Sequence, residues 1–144
     1  MPIEVHYDPG SNTLFGRVIG DPAPDEIIAS FELVRAAGTI PVDADIIWDM
    51  RAMDFTALSI ERLRDIVKRR KKLNTYRADC ASAYVVLGPQ EERMIRLMIA
   101  VSVGVQRREA IFRSMDKAKS WLRGLKTPQT TVTAPIGGGT TPPP

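Results

Sequence analysis

Two short apolar runs decide most of what this chain can become. Ile46-Ile47-Trp48, within residues 44–50, and Tyr84-Val85-Val86-Leu87, within 83–87, are too short to be buried helices. Neither alternates with polar residues, so each reads as a strand covered on both faces, the pattern of parallel strands inside an α/β sheet. Between them, from about Ser59, the residues Ile60, Leu63, Ile66, Val67 and Leu73 recur at helical spacing, with charges on the opposite side. A strand, a helix and a second strand in that order form a crossover unit, which joins parallel strands.

The flanking sequence extends this unit in both directions. Ile3 to Tyr7 and Leu14 to Ile19 are β-prone and separated by Asp8, Pro9, Gly10, Ser11 and Asn12, which predicts a hairpin. Pro24, Asp25 and Glu26 open a helix carrying Ile27, Ile28, Phe31 and Val34, with Gly38 as its stop. Gly88 and Pro89 close the second buried strand. A helix then starts near Gln90, with Glu91 and Glu92 at its positive end. Residues 109–113 read as a short strand, and Ser114 caps a last helix through Leu122. The predicted order is ββαβαβαβα: an α/β domain over residues 1–125 with a mixed, mostly parallel central sheet and crossover helices. Residues 126–144 are rich in Thr, Pro and Gly and predict a disordered tail.

At 144 residues the chain holds one core and not two. The longest apolar stretch, Met94 to Val105, is broken by Arg96 and Ser102 and falls short of the roughly 20 residues that span a bilayer, so an integral membrane protein is not expected. The N-terminus carries neither a basic nor an apolar leader segment, and a cytoplasmic location is the expectation. With a single cysteine, Cys80, and a single histidine, His6, there is no internal disulfide and no zinc set; no metal and no cofactor are predicted. No phosphate-binding glycine loop occurs, since Gly137, Gly138 and Gly139 sit in the tail. No catalytic residue is predicted either. His6 and Cys80 have no partner at a useful spacing, and Asp49 and Asp54, at the end of a central strand, lack a third group for acid/base or metal chemistry.

The hairpin, the run Ile47-Trp48-Asp49-Met50-Arg51 leading through Asp54 and Phe55 into a helix, and Ile111-Phe112-Arg113-Ser114 followed by Ala118, Trp121 and Leu122 together resemble the SpoIIAA-like, STAS-type regulatory domains, over roughly residues 3–124. The resemblance implies a non-catalytic regulatory or protein-interaction module. In anti-sigma-factor-antagonist members the loop after this strand carries Asp-Ser-Ser-Gly, one hydroxyl of which is phosphorylated. Here it reads Asp54-Phe55-Thr56-Ala57-Leu58-Ser59, without the serine pair or the glycine. Thr56 and Ser59 are the candidate phosphoacceptors by position, and helix N-caps by chemistry.

Charge is distributed unevenly along the chain. Residues 1–60 hold 10 acidic and 3 basic side chains, and residues 61–144 hold 7 and 17. The densest segment, Lys68, Arg69, Arg70, Lys71 and Lys72 with Arg77 nearby, is a candidate basic patch at a helix C-terminus, where cations are also stabilised by the helix dipole. An acidic protein surface, nucleic acid or an anionic membrane would suit it. Aromatic residues are 6% of the chain, with Tyr76 alone nearby, so base stacking is unsupported.

The helix from Gln90 is apolar around most of its circumference. Met94, Leu97, Met98 and Val101 are predicted to face the sheet, leaving Ile95, Ile99 and Val103 as a candidate interface with a second copy. The function expected is therefore a protein-interaction module, homodimeric through this helix, with a protein partner of acidic character. The alternative is nonspecific nucleic-acid or polyanion binding through the basic segment.

Overall fold

The computed structural model describes residues 3–23, 25–26, 29–30, 40–41, 43–74, 80–102 and 108–126. Within them lie five strands, β1 (Ile3–Asp8), β2 (Thr13–Gly20), β3 (Asp45–Met53), β4 (Ala81–Val85) and β5 (Arg108–Phe112), and three helices, α1 (Ile60–Asn74), α2 (Pro89–Val101) and α3 (Met115–Lys126). Asp25, Glu26, Ala29 and Ser30 are also helical, and the Glu26 carboxylate accepts the Ala23 amide at 2.8 Å. The rest of the helix predicted from Pro24 to Gly38 lies outside the described residues, as does the predicted tail from residue 127 onward.

The strands form one sheet in the order β1-β2-β3-β4-β5. The hairpin β1–β2 is antiparallel and every later pairing is parallel. Asn12 closes the hairpin turn with φ of 51°, a left-handed value that asparagine tolerates, and its side chain accepts the Tyr7 hydroxyl at 2.8 Å. All five residues of β4 are buried, Ser82 among them, as expected of a central strand covered on both faces.

The two sheet faces carry separate cores. On one, Leu14, Ile46, Trp48, Met50 and Tyr84 pack with Leu63 and Val67 of α1 and with Ile95 and Met98 of α2. On the other, Ile47, Ala81, Ala83 and Val85 meet Ala118 and Leu122 of α3. The small side chains on this second face let α3 lie close to the sheet. Gly16 stands opposite Trp48 in the β2–β3 register, and a Cβ there would fall 2.6 Å from the indole. A glycine inside a strand is thus explained by the close approach of the ring.

Asp45, 6% exposed, closes the N-terminal end of the sheet. It accepts the Ala81 amide at 2.8 Å, and Lys126, at the end of α3, places its ammonium 3.5 Å from the other carboxylate oxygen. Lys126 also donates to the Ser11 carbonyl. The helix therefore runs one residue past the boundary predicted after Leu125. Lys126→Ala is expected to lower the melting temperature by a few degrees, as loss of about 1 kcal/mol does in a domain of this size; an unchanged thermal transition would assign the contact no weight.

Two readings of burial are corrected by the packing. Leu87 does not belong to the buried strand: Val86 is fully buried, but Leu87 lies beyond the last β4 pairing and is 71% exposed. On α2 the sheet-facing residues are Ile95 and Met98, with Ile99 partly buried against the same core. Leu97 and Val101, predicted to face inward, point out. The candidate interface of Ile95 and Ile99 is therefore part of the chain's own core, and Val103 lies outside the described residues. One turn further on, the Ser102 hydroxyl is buried and donates to the Met98 carbonyl.

Candidate functional site

Strands β2 to β5 are parallel, so their C-terminal ends share one edge, where open α/β sheets collect their binding residues. The connections there are Asp54–Ser59 after β3, Val86–Gly88 after β4 and Arg113–Ser114 after β5. A bulge shapes the end of β3: Arg17 pairs with Asp49 but Ile19 pairs with Ala52, so β3 carries one extra residue. Met50 and Met53 thereby both reach the core. Arg51, turned outward, folds back on Asp49 with Nε 2.8 Å from Oδ1 and a second bond of 2.9 Å to Oδ2.

This two-point contact with Arg51, helped by the Arg51 amide, holds the Asp49 carboxyl below its ordinary value of 3.8. A depressed carboxylate contributes stability that is fully present above the unfolded pKa and is lost as pH falls through the folded one. Arg51→Met is accordingly expected to move the Asp49 titration upward when followed by carboxyl-carbon NMR. If the titration stays in place, the guanidinium is not its cause.

Asp54 is committed in a similar way. Its amide donates to the Gly20 carbonyl at 2.7 Å, and its carboxylate accepts the Thr56 hydroxyl and the Thr56 amide, the latter at 2.9 Å. The hydroxyl is the main reason its pKa is lowered. Ser59 caps α1, its hydroxyl accepting the Arg62 amide at 3.1 Å. Both candidate phosphoacceptors are thus exposed, and both use their oxygen to build the turn that leads into α1. Arg62 then reaches back to Asp21 and to the Pro22 carbonyl, joining the end of β2 to the head of α1.

At the neighbouring connection Glu92, in the first turn of α2, is held by Arg96 at 2.6 Å and by Arg113 at 3.2 Å. Arg96 first, and then Arg113, keep its carboxyl below the usual range. Two large aliphatic side chains stand uncovered on the same edge: Ile60, 68% exposed at the first position of α1, and Leu87. Both follow the ends of adjacent strands, Ile60 after β3 and its connection, Leu87 directly after β4. Leu87 was hidden from sequence reasoning because it continues an apolar run. The signal that could have found it is Gly88-Pro89, which ends a strand early rather than late.

Of the basic segment, Lys68 and Lys71 are exposed, whereas Arg69 pairs with Asp25 at 2.7 Å. The Arg70 and Lys72 side chains and all of Arg77 lie outside what the structure describes. His6 is on the edge strand β1, stacked on Phe15, and Cys80 is buried just ahead of β4. No group of three or more His, Cys, Asp or Glu converges among the described residues. No described helix is long and apolar enough to cross a membrane.

Among the described residues, a hairpin followed by parallel strands in chain order, with α1 and α2 on one face and α3 on the other, matches a SpoIIAA-like fold. The chain is similar to the crystal structure of an uncharacterized protein from the DUF3478 family with a SpoIIAA-like fold, from Shewanella loihica PV-4. The two share 17% identity at a TM-score of 0.59, over 83% of this chain and 91% of that one, a likeness of fold alone. No family model and no curated protein matches the sequence.

Proposed function

We propose that this protein is a non-catalytic interaction module that holds a protein partner at the C-terminal edge of its sheet. The carrying observation is the exposure of Ile60 and Leu87 after the ends of adjacent strands. Two large aliphatic side chains in water at the edge where α/β sheets bind give a partner apolar surface to cover, each contributing up to about 1.5–3 kcal/mol on full burial. The carboxylates at the edge support a binding role over a chemical one. Asp49, Asp54 and Glu92 are each engaged by a donor that lowers the pKa, which makes them weak bases and leaves them ionised near neutrality. On this reading Thr56 and Ser59, the exposed hydroxyls beside Ile60, are the positions where an added phosphate would alter the contact.

The test compares capture of partners from a native lysate by the wild type and by the Ile60→Asp/Leu87→Asp variant, both first shown to melt alike. A partner retained by the first and lost by the second supports the edge. Equal capture by both removes it.

A further inference from the structure

The cations of α1 fall into two sets once their neighbours are in place. Arg62 and Arg69 turn toward the segment after β2, where Asp21 and Asp25 meet them, and Asp65 lies 3.8 Å from Arg69. Arg64, Lys68 and Lys71 are exposed. At 100° per residue these three lie within about 60° of one another, in a row rising about 10 Å along the helix. No acidic partner meets them among the described residues. The apolar side of α1, Leu63, Ile66 and Val67, is turned into the core.

The chemistry of this row limits what it can hold. Beyond Ile60 it has no apolar member, so it lacks the uncharged centre of a protein interface, and with its apolar side buried α1 cannot lie in a membrane surface. Charge without stacking groups or apolar anchors suits a regular polyanion. One duplex strand presents a phosphate for each 3.4 Å of axis, so cations spaced about 5–6 Å apart each find one. We propose that Arg64, Lys68 and Lys71 bind the phosphodiester backbone of double-stranded nucleic acid, without sequence preference and independently of the Ile60–Leu87 edge.

The experiment is fluorescence anisotropy of a labelled random-sequence DNA duplex with the full chain at 50 to 200 mM salt. Three phosphate contacts predict a log–log salt slope of about −2.7, which weakens binding about 40-fold across that range. Arg64→Gln/Lys68→Gln/Lys71→Gln is expected to abolish the slope. Arg93→Gln/Lys117→Gln, which removes cations from other helices, is expected to keep it. Leu87→Asp is expected to bind DNA as the wild type does, which separates this surface from the partner edge. The inference is overturned if the wild type shows no salt-dependent binding at 50 mM. It is overturned equally if the triple variant binds unchanged, if the control variant loses as much as the triple one, or if anionic vesicles are bound and DNA is not.

Discussion

Ile95→Glu will abolish the fold, while Leu97→Glu, two positions further along the same helix, will leave it intact. Ile95 is 2% exposed within the apolar cluster that includes Trp48, Tyr84 and Met98, where a carboxylate would lose its water. Burying an unpaired ionised group, or protonating it to bury it, costs more than about 4 kcal/mol, a large part of what holds a domain of this size together. Leu97 is 45% exposed, so the same substitution there trades one solvated side chain for another and stays within about 0.5 kcal/mol. Circular dichroism and thermal melting on the pair decide the matter. If Leu97→Glu unfolds the chain and Ile95→Glu does not, α2 is rotated from the orientation described.

Gly16→Ala will destabilise the domain by about 1–3 kcal/mol, although alanine is ordinarily the better strand residue. The added methyl meets Cζ3 and Cε3 of Trp48 at 2.6 and 2.7 Å, and an indole 8% exposed inside the core has little room to retreat. Combining the change with Trp48→Leu removes the obstacle. In that background Gly16→Ala is expected to be neutral or stabilising, a coupling of about 1 kcal/mol or more. Equal effects in both backgrounds, measured by urea denaturation, would show that something other than the ring reserves this position.

Element types and order were legible because periodicity and punctuation agreed. The hairpin, β3, β4, β5 and all three described helices lie where alternation, caps and Gly-Pro pairs put them, with ends displaced by one to four residues. The facing of α2 was not legible, because its residues are apolar on nearly every side and a helical period then selects no face. What selects it is tertiary: Ile95 and Met98 join the core cluster that holds Trp48 and Tyr84, leaving Leu97 and Val101 outside. Asp45 gave no signal for a related reason. An aspartate at the start of a strand carries no mark of burial in the sequence, and it is the neighbouring strand β4 that supplies the Ala81 amide to its buried carboxylate. At the candidate edge, sequence marked Thr56 and Ser59 but passed over Leu87. Exposure at a strand end depends on where the neighbouring strand stops, and Phe112 of β5 makes its last bond to Val86.

The order of the sheet has a consequence for how the chain is made. Each strand is laid beside the one before it, so a growing polypeptide can add β3, β4 and β5 to a standing hairpin in the direction of synthesis. One face can be covered as it forms, since α1 and α2 are interleaved with the strands they protect. Among the described residues the other face is covered last: Ile47, Ala83 and Val85 receive Ala118 and Leu122 from α3. A nascent or truncated chain ending before residue 115 presents that face to water and to its neighbours, which makes it a species prone to aggregate and a natural client for a chaperone. Lys126, reaching back across 115 residues to Ser11, marks the moment this exposure ends.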